Sequence, residues 1–213
     1  LHIVAPLNLY NSGETTKALY AVESWYSWHS RDDYSNNILS VRNSYFGTLD
    51  GTVSEKSLSA AVKAVNAELD AKMVSEIKAA YDAILAIPQP FRNNINSPEA
   101  LAAQQACNTL AESLTSDLKG ALEKINKNTL KEAVANYVDA VVVPTYANLK
   151  KGNEALKAAV DAFAANPSDD AFEDCAQAWL DARQPWETSE AFLFGPVGDL
   201  GLDPNMDSWP LDQ

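Results

Sequence analysis

Histidine and cysteine are scarce, with two of each in 213 residues. His2 and His29 are too few and too far apart for a zincin, which needs two imidazoles on one helical face with a glutamate between them. A Ser-His-Asp hydrolase needs a base held against its nucleophile, and the sequence has no Gly-x-Ser-x-Gly elbow. Cys107 and Cys175 lack Cys-x-x-Cys spacing, so they form neither a zinc knuckle nor a disulfide framework. Each falls on the apolar face of an expected helix and reads as a structural thiol, with a single bridge between them left open. Basic residues are also few: 16 against 29 acids give a formal charge of −13, which repels phosphate backbones and excludes nucleic acid as an expected partner. No run approaches eighteen apolar residues, and no basic segment followed by an apolar one opens the chain. The chain starts at Leu1 rather than Met, so this lack of a leader leaves the compartment open.

What is present is helical periodicity, with 46% hydrophobic residues to build a core. Leu130, Val134, Tyr137, Val138, Val141 and Val142 recur at three- and four-residue steps, and Tyr146, Leu149, Leu156, Val160 and Phe163 resume the stripe beyond Pro144. One long helix is expected from about Asn128 to Ala165, bent at the proline, which lacks an amide donor and clashes with the carbonyl four residues earlier. Ser168 followed by Asp169 and Asp170 is a cap-and-acid start for a helix to about Arg183. Ser97-Pro98-Glu99 opens another that reaches about Lys124. A fourth runs from Leu69 to Leu85 and is closed by Pro88-Gln89-Pro90; a fifth spans about Asp33 to Tyr45 and is ended by Gly47. Long helices joined by short polar loops predict an all-α fold of antiparallel bundles. The polar stretch Lys119 to Asn128 is the expected passage between two units, residues 1–126 and 127–213.

Several segments carry possible chemistry. Between Asp169 and Gln213 eleven acids face one base, Arg183, which makes an anionic surface or a site that attracts cations. Arg183 is expected to pair bidentately with one of those acids. Glu190 beside Ser189 would offer a carboxylate to a hard or borderline cation. Trp25-Tyr26-Ser27-Trp28-His29 is an aromatic cluster, read equally as a lid over a bundle end or as a ligand contact. Asn36, Ser40 and Asn43, or Asn37 and Ser44, share helical faces with Arg42 and Tyr45 nearby. Burying such groups is costly without partners, so they imply an internal hydrogen-bond network or a cleft.

These residues also carry a resemblance. The run Ala182-Arg183-Gln184-Pro185-Trp186-Glu187-Thr188-Ser189-Glu190-Ala191-Phe192-Leu193-Phe194-Gly195-Pro196, with Asp207-Ser208-Trp209-Pro210-Leu211-Asp212 after it and Pro144-Thr145-Tyr146 before it, resembles the imelysin-like proteins of bacterial iron uptake. Asn37 to Thr48, with Pro88 to Phe91 behind it, resembles that family's other half. The resemblance implies two helical bundles with a functional site at their interface, in circularly permuted order, because here the Asn-Ser-Tyr block comes first. It also implies an exported protein, in the periplasm or attached to the outer membrane, that works with other envelope iron-uptake proteins. Iron, or another divalent metal or iron-bearing ligand, would be recognised by Asn37, Ser40, Asn43, Tyr45, Arg183, Trp186, Ser189, Glu190 and Trp209, with Glu190 as a metal ligand. The family's Gly-x-His-x-x-Glu segment is absent and is expected from a further segment after residue 213 or a second chain. The alternatives are a metal-dependent peptidase completed by that segment and a non-catalytic surface interaction module.

Overall fold

The computed structural model describes residues 3–24 and 26–207, and these are all-α. Two short helices, α1 (Val4–Asn11) and α2 (Thr15–Tyr20), precede the central α3 (Ser30–Phe46). Asp32 and Asp33 in its first turn favour the helix dipole. Gly47 ends α3 at φ 69, and any side chain there would meet Asn136 Nδ2 at 2.4 Å. Ser57 caps α4 (Leu58–Val65), Asn66 caps α5 (Ala67–Leu85), and Ser97 caps α6 (Pro98–Glu112), each side-chain oxygen accepting a first-turn amide. A π-turn, Ser113–Asp117, carries α6 into α7 (Leu118–Leu122).

After a turn, α8 (Lys127–Tyr137) continues through a second π-turn, Val138–Val142, into α9 (Val143–Ala165). This is the expected long helix. The widened turn sits where Pro144 would otherwise press on the carbonyl four residues back. Capped by Ser168, α10 (Asp169–Glu187) returns antiparallel to α9, and Phe163 meets Phe172 near the tip, ring centroids 5.9 Å apart. Contrary to expectation α10 does not stop at Arg183: Pro185 lies inside its last turn, where a missing donor loses only one bond. A 3-10 turn, Glu190–Phe192, and two short helices, α11 (Pro196–Asp199) and α12 (Leu202–Met206), follow.

The two apolar core clusters lie in the first 125 residues, with Ala133, Val141, Ala182 and Phe192 buried outside them. One cluster joins α3, α4, α5, α6 and α7 through Tyr45, Val62, Met73, Ile77 and Leu110. A second, around Tyr34, Ile84, Ile87 and Phe91, seats α1 and α2. The α9–α10 hairpin leans on α3 through α10, yet no residue between Thr145 and Ala182 is buried. Gly152 lets the two helices approach closely, since a Cβ there would stand 2.9 Å from the Ala182 Cα. Both cysteines are free thiols. Among the described residues no helix is long and apolar enough to cross a membrane.

Candidate functional site

The last turn of α10 and the turn after it cross the middle of α3, and polar side chains join them. Asn37 Nδ2 donates to Glu187 Oε2 at 2.7 Å and to the Glu187 carbonyl at 3.3 Å. Ser40 Oγ accepts the Ala191 amide at 2.8 Å. Residues about 150 apart in sequence are thereby fixed in one crevice.

At its centre lies Arg183. Its Nη2 is 2.7 Å from Glu187 Oε1, its Nη1 donates to Asp207 Oδ2 at 2.7 Å, and its Nε stands 3.5 Å from Asp33 Oδ2. Nη2 also reaches Ser24 Oγ at 3.1 Å, and that hydroxyl donates to Asp33 Oδ2 at 2.6 Å. Ser24 takes this position from a left-handed backbone, φ 55, a conformation that non-glycine residues rarely hold without support from their surroundings. The expected bidentate pair is therefore not what forms: one guanidinium is spread over three carboxylates. Glu187 follows Arg183 by four residues, so the helix itself supplies that partner.

The side chains of Asp33 and Glu187 are only 4% and 3% exposed. Burial raises the Asp33 carboxyl above its ordinary range, against the pull of Arg183 and the Ser24 hydroxyl. Burial, then the adjacent Asp33 charge, pushes Glu187 up to about 8. Burial alone would lower the Arg183 pKa, but Glu187, Asp33 and Asp207 outweigh it and raise it. With every carboxylate ionised, the group would be left two charges negative in a poorly solvated place. A proton on the Asp33–Glu187 pair relieves that. The cluster is not sealed, because Arg183 and Asp207 border a hollow of about 130 Å³ walled by Trp179 and Trp186, and the Trp186 Nε1 donates to Asp207 at 3.2 Å.

Two larger spaces flank this crossing. Glu190, Asn37, Tyr34 and Cys107 line a mainly apolar cavity of about 290 Å³. Arg42 and Asn43 line a cleft of about 420 Å³ facing α9 and α10.

The structure thus gathers Asn37, Ser40, Arg183, Trp186, Ser189 and Glu190 around one crossing, with Asn43 on its far side. Ser189 is buried and its hydroxyl donates to the Trp186 carbonyl at 2.6 Å, so it helps to set the turn, while Glu190 lines the cavity. Asn43 accepts from Arg42. Tyr45 stands apart, turned into the core with its hydroxyl 3.0 Å from Asp70. Ser44 bonds the Ser40 carbonyl within α3. Trp28 and Tyr26 are exposed, and the Arg92 guanidinium lies over the Trp28 ring. Trp25 and Trp209 lie outside the described residues. Sequence reasoning misses Ser24, Asp33, Glu187 and Asp207 as members of the site. The four-residue spacing from Arg183 to Glu187 is the signal that could have found one of them.

No group of three or more His, Cys, Asp or Glu side chains among the described residues is arranged to hold a metal ion. Glu190 could supply a single carboxylate to a cation, and the rest of a coordination shell would have to come from elsewhere.

Comparison with known proteins agrees with this architecture. The sequence model of the Imelysin family matches residues 3–117 and 142–213. The crystal structure of an imelysin peptidase from Bacteroides ovatus superposes with a TM-score of 0.96 at 55% identity, covering 100% of this chain and 62% of that one. An iron-regulated protein A precursor from Parabacteroides distasonis superposes with a TM-score of 0.53 at 39% identity, over 59% of this chain and 36% of that one. Iron-regulated protein A of Synechococcus elongatus is 38% identical over 82 residues, 38% of this chain and 23% of that protein. The chain therefore spans less than two thirds of each of these relatives.

Proposed function

The chain belongs to the Imelysin family, and on that premise we propose that it forms part of an exported envelope protein of bacterial iron uptake. It recognises iron or an iron-bearing ligand in the crevice where α10 crosses α3. The observation that carries this reading is the Asn37–Glu187 and Ser40–Ala191 bonding, which draws polar groups from two distant parts of the chain around Arg183. The names of two relatives, both called iron-regulated protein A, support the link to iron, and the word precursor in one of them supports export.

Glu190 is the carboxylate offered to a cation, from a cavity that Asn37 shares. The remaining ligands come from a further segment, in this polypeptide or a second chain, that carries a Gly-x-His-x-x-Glu sequence in permuted order. Two observations favour such a segment. The chain spans 62% of the Bacteroides ovatus protein, and apolar side chains such as Val134, Val160 and Phe172 stand exposed on the hairpin and the helix leading to it. Binding fits these residues better than hydrolysis: the polar groups of the crossing are spent on one another, and the hydroxyl–carboxylate pair among them, Ser24 and Asp33, is buried with Arg183 bonded to the same hydroxyl.

Titration of the full natural protein with ferrous, ferric and zinc ions tests this. Micromolar iron binding that weakens in Glu190→Ala is the expected result. Absence of binding, or a Glu190→Ala variant that binds like the parent, overturns it, and chelator-sensitive peptide cleavage would replace it with the peptidase.

A further inference from the structure

The chain's two interface arginines are treated in opposite ways. Arg183 has three carboxylates. Arg42 is half-buried, yet among the described residues no carboxylate lies within 4 Å of it, in a chain that carries 29 acids. Its partners are neutral: Nε and Nη2 donate to Asn43 Oδ1 at 3.2 and 2.8 Å, and Nη2 to the Leu49 carbonyl at 3.3 Å. Asp50 acts on it from a distance while its own Oδ1 accepts from Thr52. A guanidinium withdrawn from water without a counter-charge is costly, so this one is set up to gain from an anion.

Arg42 lines the 420 Å³ cleft between α3 and the α9–α10 hairpin, and Lys151 lines it from α9. Lys151 also has no carboxylate within ion-pair distance among the described residues, although its neighbours do: Lys150 pairs with Glu154 and Lys157 with Asp161, each one turn on. The residue one turn on from Lys151 is Ala155, another part of the cleft wall. The single acid there is Asp181, whose Oδ1 accepts from Gln177 at 2.8 Å. Two cations with no ion-pair partner among the described residues thus share one cleft on a strongly acidic protein. Leu39, Leu49 and Pro185 supply apolar wall beside them.

We propose that this cleft binds a small organic carboxylate, with Arg42 and Lys151 holding the charged end and the apolar wall holding the body. Planar guanidinium matches carboxylate geometry, and the volume falls in the range of small-molecule pockets. The inference does not rest on the iron reading, because it needs neither Glu190 nor a metal.

The test is calorimetric titration in metal-free, low-salt buffer with benzoate, citrate and inorganic phosphate as probes. Saturable binding of benzoate or citrate is expected, weaker at high salt and about tenfold weaker in Lys151→Glu. Arg42→Gln should abolish it. Arg42 also anchors the Leu49 loop, so exposed Lys151, whose replacement leaves the core untouched, carries the decision. No saturable binding of either carboxylate up to about 10 mM overturns the proposal. So does equal affinity in Lys151→Glu, or phosphate bound more tightly than both. Iron titration of the same protein is a separate measurement, so either reading can fail alone.

Discussion

Arg183 and Glu187 stand one turn apart on α10, Nη2 and Oε1 2.7 Å from each other, with Pro185 between them in the same helix. The proline costs a single amide bond, and residues 183 to 187 stay helical in spite of it. Were α10 to stop at Arg183, as the proline suggests on sequence grounds, Glu187 would leave the guanidinium and Asn37 would lose its partner across the crossing.

Removing Arg183 therefore strands three carboxylates. Arg183→Ala should cost about 3–5 kcal/mol in urea unfolding, the usual penalty for leaving buried charge uncompensated. Adding Glu187→Gln to it should recover part of that loss. Strictly additive losses in the double variant would show that the two residues do not act on one another.

Stability should also depend on pH in a set direction. Glu187 is held near 8 in the fold against an ordinary value of 4.5. Between those values the folded protein keeps a proton that the unfolded chain has released, so stability falls as pH rises, by up to about 1.4 kcal/mol per pH unit, and levels off above the folded value. Asp33 is raised as well and acts in the same sense. Glu187→Gln should flatten the slope to what Asp33 contributes, so that its advantage over the parent grows from about pH 5 to about pH 8 in denaturant titrations. Parallel curves for the two proteins would sink this account.

At Gly152 a Cβ would come within 2.9 Å of the Ala182 Cα and 3.3 Å of its Cβ. Gly152→Ala should push α9 off α10 and cost about 1–3 kcal/mol, read as a lower melting temperature. Gly120 is the control: a Cβ there meets nothing, and Gly120→Ala on a helix should be neutral or stabilise by up to about 1 kcal/mol.

The Tyr146 hydroxyl is buried without a hydrogen-bond partner among the described residues, while its ring meets Phe192 edge-on, centroids 5.7 Å apart. Tyr146→Phe keeps the ring and removes the stranded oxygen. Its melting temperature should match or exceed that of the parent, and a clear loss would reveal a partner for the hydroxyl.

The sequence disclosed the long helices because their signals are local. Ser97-Pro98 and Ser168 cap where expected, and the stripe through Val141 and Tyr146 predicted one bent rod. Helices α1, α2 and α4 are short, with too few turns for periodicity to stand out. At the crossing, Arg183 stood out as the single base among eleven acids, and Asn37 and Ser40 as amide and hydroxyl groups grouped on shared faces of one helix. Asp33, Glu187 and Asp207 did not, since in a chain this acidic they look like ordinary solvated charge. Only the packing of α10 on α3 distinguishes them. Tyr45 follows the polar stripe directly in sequence, but it turns into the core, where α5 takes its hydroxyl through Asp70.

Beyond Thr145 the hairpin is held by little apolar burial, and that sets how readily its backbone meets solvent. Amides exchange at a rate governed by the cheapest opening that frees them, and the cost of an opening rises with the apolar surface it uncovers. With no buried residue until Ala182, the outer turns of α9 and α10 should exchange deuterium well before the Met73 and Ile77 region of α5. Under native conditions the molecule should then open in two stages, the arm first, with the inner bundle still closed.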